Sequence, residues 1–139
     1  MKRNPVKTLQ NKCERIWKDI CYLKYGRFCH VKKFHPYIRL AHTTTIQIDH
    51  CITRANKHFF LDIWNGLPVC NSCNRAKSFK QKSVDIAIDE MVRKRNPEWY
   101  ENAIRIDQTM KPNLHFSKIW WLEEKKLELE KELNKLKEK

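Results

Sequence analysis

Glycine is almost missing from this chain. Its 139 residues include two glycines and five prolines, which excludes low-complexity and collagen-like sequences. No run of about 18 apolar residues occurs, so no membrane span is expected. Residues 6–12, after the basic N-terminus, are too polar for the apolar stretch of a signal peptide. A cytoplasmic protein is the expectation. Acidic residues are also short, with 16 Asp and Glu against 29 Lys and Arg, a formal net charge of +13. The shortage is sharpest over residues 1–39, where Glu14 and Asp19 face eleven Lys and Arg for a net of +9. Residues 118–139 are nearly balanced, with seven Lys and six Glu. Solubility needs a net charge of only about 2–8. The concentrated excess therefore points to a polyanionic partner, of which nucleic acid is the commonest.

Cysteine is present, but not in a disulfide pattern. Cys70 and Cys73 form a C-x2-C pair flanked by Asn and Lys, the spacing of a metal knuckle. Cys13 and Cys21 fall on the apolar face of an expected helix, where a thiol behaves as a small hydrophobe. Reduced thiols are expected in an intracellular chain.

Periodicity gives an α+β chain that is mostly helical. Leu9, Cys13, Ile16, Trp17, Ile20 and Cys21 recur at helical spacing, with Thr8 as a cap and Gly26 as a stop. A β-rich stretch, Thr43-Thr44-Thr45-Ile46-Gln47-Ile48, carries Asp49 and His50 at its end. Leu67-Pro68-Val69 is a short second strand. A helix then opens at Asn74. Val84, Ile88, Met91 and Val92 mark a further helix, and Asn96-Pro97-Glu98 begins the next. A last helix starts near Phe116. In it Leu122, Leu129 and Leu136 recur every seven residues, with Lys126 in the remaining seam position. Such a helix can join a second copy in a short coiled coil and make a homodimer. It can equally pack on its own domain through Trp120 and Trp121.

Chemistry concentrates in Asp49-His50, Asn65, Cys70-Asn71-Ser72-Cys73-Asn74 and Lys77. Hydrolysis of a phosphodiester needs deprotonated water, neutralised charge on phosphorus and a stabilised leaving oxygen. A divalent ion can supply the last two. Mg²⁺ or Mn²⁺ takes oxygen ligands and keeps waters, and a carboxylate at Asp49 with an amide at Asn74 suits it. A neutral imidazole at His50 can accept a proton from water. Taken singly, Asp49-His50 can be an ordinary strand-end pair, Asn74 a helix cap and Asn65-Gly66 a hairpin turn.

Together, D-H, Asn65 and L-P-V-C-x2-C-N-x2-K resemble the HNH endonucleases, in the variant that ends in Asn. The resemblance covers residues 48–77, IDHCITRANKHFFLDIWNGLPVCNSCNRAK. This segment is similar to phage recombination nucleases of the NinG/Rap type, and more distantly to endonuclease VII. The resemblance implies a ββα-metal core of two strands and a helix around one metal. It implies His50 as general base, Asp49 and Asn74 as ligands of the catalytic Mg²⁺, and Asn65 as the residue that holds the loop and orients the histidine. It further implies a DNA substrate, in a bacterial or phage-infected cell. Arg54, Lys57, Arg75 and Lys77 are candidate nucleic-acid contacts, although Lys77 can also be a plain surface charge. The implied organisation is a basic N-terminal helix and irregular segment (1–41), the metal core (42–82), a helical extension (83–112) and a C-terminal helix (113–139).

One departure from the family stands out. Many of its members hold a structural Zn²⁺ through two C-x2-C knuckles. Here Cys70 and Cys73 form the second, while the first has Cys29 but Lys32 in place of its partner. Either His30 or His35 completes a site of three cysteines and a histidine, or the knuckle is degenerate and binds no metal. His42 and His115 are expected to be structural. A competing reading is a non-catalytic zinc-knuckle protein that binds nucleic acid.

Overall fold

The computed structural model describes residues 4–52, 57–78 and 81–138. Helix α1 is Pro5–Tyr25, α2 is His30–Phe34 and strand β1 is Ile46–His50. A short 3-10 turn, Ile63–Asn65, precedes strand β2, Gly66–Cys70. Helices α3 (Asn71–Ser78), α4 (Lys82–Arg95) and α5 (Pro97–Thr109) follow. A second 3-10 turn, Leu114–Ser117, leads into α6, Ile119–Lys137. The chain is mostly helical with one small antiparallel sheet, an α+β arrangement. Among the described residues, no helix is long and apolar enough to cross a membrane.

The first helix starts a turn earlier than Thr8 suggested. The Asn4 side chain accepts hydrogen bonds from the backbone N–H groups of Val6 and Lys7 at 3.1 and 3.2 Å, and Pro5 takes the first helical position. Gly26 ends the helix as expected, with φ of 94°, a left-handed value that L side chains avoid. Helix α3 also starts early. It opens at Asn71, directly after β2, so Cys73 and Asn74 both lie inside it.

In the sheet, Ile46 pairs with Cys70, Asp49 with Leu67 and His50 with Gly66. Residues 51–65 join the two strands, so Asn65-Gly66 is not a hairpin turn. Gly66 instead answers a packing demand. A Cβ there would lie 2.6 Å from Cys21 Sγ, 2.9 Å from Ile48 and 2.9 Å from Trp17. Only a residue without a side chain lets α1 approach β2 so closely.

The sheet lies between two apolar cores. Leu67, Val69, Cys70 and Cys73 join Val31, Val84, Ile88 and Val92 in one. Ile48 joins Cys13, Trp17, Ile20, Phe60, Phe116, Leu122 and Leu129 in the other. Because both cores press on it, β2 is buried along its whole length and reads as a continuous apolar run rather than an alternating one. Leu122 and Leu129, the seam residues of the heptad pattern, pack on α1 of the same chain.

Candidate active site and metal centre

Two sites flank the β1–β2–α3 unit. The first is a Cys/His cluster. Cys29 precedes α2 and accepts the backbone N–H of Lys32 on Sγ at 3.5 Å. Cys70 ends β2 and accepts the N–H of Cys73 at 3.4 Å. Each sulfur therefore sits where backbone N–H groups favour negative charge. Lys32 stands in the vacant knuckle position, but its contribution is the backbone donor.

The remaining ligand is His42. Its Nδ1 is 3.4 Å from Cys70 Sγ, 3.4 Å from Cys73 Sγ and 3.9 Å from Cys29 Sγ. Cys29 and Cys73 sulfurs are 3.7 Å apart, and the four ligand atoms all lie within 4.8 Å of one another. In a tetrahedron with Zn–S near 2.3 Å, ligand atoms are about 3.5–3.8 Å apart. The cluster thus matches a zinc-sized cation, and Cys29, His42, Cys70 and Cys73 can hold a metal such as zinc.

Electrostatics agrees. Hydrogen bonding from Cys73, opposed by burial, pushes the Cys29 thiol down to about 4. The reciprocal bond and burial push Cys73 up. Negative charge on the Cys29 and Cys73 sulfurs together needs a cation between them.

This corrects the sequence reading at three residues, His30, His35 and His42. His30 stacks on Phe28 at 4.3 Å, and His35 hydrogen-bonds the Tyr37 hydroxyl; neither belongs to the cluster. His42 does, although nothing in its local sequence marks it.

The second site is a cavity of about 690 Å³ lined by Asp49, His50, Asn74 and Lys77. Four residues singled out by the motif thus meet at one surface. Asp49 and His50, adjacent on β1, point different ways. Asp49 turns toward α3, where its Oδ2 accepts a 2.7 Å bond from Lys77 Nζ. His50 is held between two aromatic rings. Trp17 of α1 stacks on it at 4.4 Å with planes 15° apart, and Phe60 stacks at 4.5 Å and 5°.

Trp17 is itself fixed. It is fully buried and donates its indole N–H to the Asp62 carbonyl at 2.8 Å. The sequence marked Trp17 only as a core residue of α1, so its place beside the histidine was not legible.

Asn65 is completely buried at the base of the loop. Its side chain accepts the N–H of Ile52 at 2.7 Å and donates to the carbonyls of Ile52 and Phe59 at 3.2 and 3.0 Å. It ties Ile52 and Phe59 to the end of the 51–65 segment.

Asn74 is oriented by Gln47, whose Oε1 accepts the Asn74 amide at 2.7 Å. This aims the amide group across β1. Burial raises the Asp49 pKa, and the Lys77 ammonium opposes the rise. That ammonium also reaches the His50 carbonyl at 2.8 Å and the Cys51 carbonyl at 3.2 Å. Lys77 is therefore not an open surface charge but a resident cation at Asp49. The donor set of carboxylate and amide oxygen is the hard-oxygen chemistry a Mg²⁺ ion takes, and a cation already sits on one of those oxygens.

Of the other candidate contacts, Arg75 is exposed on α3. Lys57 lies away from the main cavity, with its ammonium 4.4 Å from the Phe60 ring and 5.3 Å from that of Phe116. Arg54 lies outside the described residues. His115 makes an edge contact with Trp120 and has no place in either site. Glu14, Lys18 and Tyr22 of α1 form the far wall of the main cavity, which no motif announced.

No protein-family model, curated protein or solved structure matches the chain.

Proposed function

We propose that this chain is a metal-dependent DNA endonuclease of the HNH type, acting through one divalent ion. The observation that carries the reading is the meeting of Asp49, His50 and Asn74 on one cavity, with Asn65 pinning the loop between the strands. A net charge of +13 suits a polyanionic substrate.

In this reading Asp49 and Asn74 hold Mg²⁺ or Mn²⁺. When bound, the ion supplies Lewis-acid stabilisation of charge on the phosphate and leaving oxygen. His50 takes the proton from the attacking water. Trp17 and Phe60 stack on its ring, which fixes the plane in which its nitrogens take a proton. Gln47 orients Asn74, and Lys77 offsets part of the burial cost of the Asp49 carboxylate and anchors the end of β1. The Cys29, His42, Cys70 and Cys73 cluster braces the start of α3, from which Asn74 projects. The biological setting belongs to the same proposal: cleavage of DNA, including branched DNA, in phage or bacterial recombination.

Purified protein with Mg²⁺ or Mn²⁺ is expected to nick or cut plasmid DNA. His50→Ala should abolish cleavage and keep DNA binding. A His50 variant that cuts as fast as the parent would remove histidine from the chemistry. A second reading is a zinc-knuckle protein that binds nucleic acid without cutting it. The Lys77 ammonium on Asp49 favours it, because a cation of the chain's own already occupies that carboxylate. Tight DNA binding with no cleavage under any divalent metal would decide for it.

A further inference from the structure

Two cavities open along α1, and the same helical face borders both. The main one takes Glu14, Lys18 and Tyr22 from α1. A smaller one, of about 250 Å³, takes Lys7, Gln10, Asn11 and Glu14. Positions 7, 11, 14, 18 and 22 step by three or four, and 10 lies three after 7 and four before 14, which places all six on one face. Glu14 belongs to both cavities, so the two adjoin. Phe60 connects them a second time. It lines the smaller cavity, and its ring stacks on His50.

We propose that this face of α1 and the two cavities form one track for the sugar-phosphate backbone of a DNA strand, leading from Lys7 and Lys57 to His50. The proposal deepens the nuclease reading and rests on it for the identity of the strand. Lys7 to Tyr22 spans about 22 Å at roughly 1.5 Å per residue.

The chemistry along the track suits phosphate and sugar rather than base edges. Lys7 is exposed at one end, and Lys57 is perched over the Phe60 and Phe116 rings beside it. Further along, Lys18 stands 3.7 Å from Glu14 in a partly exposed pair. Such a pair holds its lysine weakly, so a phosphate can recruit it. The wall itself is stiff. Gln10 donates to the Phe116 carbonyl at 2.8 Å, and the Tyr22 hydroxyl donates to the Ile46 carbonyl at 2.9 Å. On this face α1 sets Lys7 and Lys18 against Glu14, and Lys57 adds a third cation beside the smaller cavity, whereas α6, packed beside α1, has five Lys and five Glu.

The test uses the full chain carrying His50→Ala, so that no strand is cut. A fluorescein-labelled single-stranded DNA 12-mer is titrated at several salt concentrations and followed by fluorescence polarisation. Lys7→Ala with Lys18→Ala should flatten the slope of log affinity against log salt by about 1.4, at roughly 0.7 per phosphate contact. Affinity near 0.1 M salt should fall by about 25-fold, which is that slope change evaluated at that salt. Lys131→Ala with Lys135→Ala removes the same charge from exposed positions on α6 and should leave the slope unchanged. Equal losses in the two pairs would show that binding follows net charge, and the track would be wrong. An unchanged slope in the α1 pair, or no binding by the parent, would overturn it as well. The nuclease reading fails separately. If the chain with His50 intact cuts no DNA while the α1 pair still alters the slope, the track stands and the catalytic assignment falls.

Discussion

Replacing His42 with alanine removes the only nitrogen from a cluster otherwise built of three sulfurs. Structural Zn²⁺ sites bind with about 10–16 kcal/mol at neutral pH. Divided over four ligands, that is roughly 3 kcal/mol each, or about a hundredfold in affinity. The loss should also reach folding. The cluster joins the start of α2, the segment before β1 and the β2–α3 junction, so weaker metal binding means less of its free energy is added to the folded state. The assay is zinc content of the purified protein, followed by competition with a chromophoric chelator and thermal unfolding with and without chelator. His42→Ala should release zinc to a chelator that the parent resists, and should melt earlier. His42→Cys should restore zinc, because a thiolate accepts the same tetrahedral position. His30→Ala, close in sequence to Cys29 but outside the cluster, should keep zinc at the parental level. If His42→Ala holds zinc as tightly as the parent, the cluster is not the metal site and the 3.4 Å contacts are only packing.

Other changes follow from the same geometry. Trp17→Leu should lower cleavage at least tenfold, while Trp17→Phe, which keeps a ring against His50, should recover most of it; equal losses in both would reduce Trp17 to a core residue. The imidazole proton resonances of His50 should carry ring-current shifts that Trp17→Leu diminishes, a readout that does not depend on cleavage. Asn65→Ala should lower stability by roughly 3 kcal/mol, since it strands the N–H of Ile52 and the carbonyls of Ile52 and Phe59, and each buried unsatisfied group costs about 1–3 kcal/mol; denaturant unfolding measures it. Lys77→Met should move the acid limb of the cleavage profile to higher pH, because Asp49 then keeps the upward push of burial without the opposing ammonium. Its effect on stability has a definite sign. A raised aspartate pKa favours the folded state below the unfolded value, and that advantage is lost as pH rises through the folded one. Lys77→Met should therefore unfold more readily than the parent above that window, and the gap should narrow in acid.

Several parts of the fold were legible because they depend on neighbours in sequence. The apolar stripe from Leu9 to Cys21 announced α1, and Asn96-Pro97 announced the start of α5. The short strand at Leu67-Pro68-Val69 showed through its apolar run. Elsewhere a local signal was true but incomplete. Thr8 can cap a helix, yet Asn4 does so here, because Asn4 also places Pro5 at the first helical position. Asn65-Gly66 has turn chemistry, but its two residues serve other ends. Asn65 is a buried clamp on a long loop, and Gly66 makes room for Trp17. The seven-residue leucine repeat of α6 shows that one face must be covered. It does not say by what, and in the structure α1 covers it at Leu122 and Leu129.

The sequence by itself determined the chemistry on offer: a carboxylate beside an imidazole, an amide one helical turn before a lysine, a pair of knuckle cysteines, and an excess of positive charge at the N-terminal end. Those are properties of residue type and short spacing. Tertiary structure decided the partners. It brought His42, far along the chain from Cys70 and Cys73, into contact with both sulfurs. It placed Trp17 and Phe60 on the two faces of His50, and it set Lys77 on Asp49. Apart from Phe60, which lies in the segment just after β1, these contacts join parts distant in the chain, and packing against the β1–β2 sheet selected them. No local pattern carries that information, because burial, ring stacking and ion pairing depend on which surfaces the whole fold presses together.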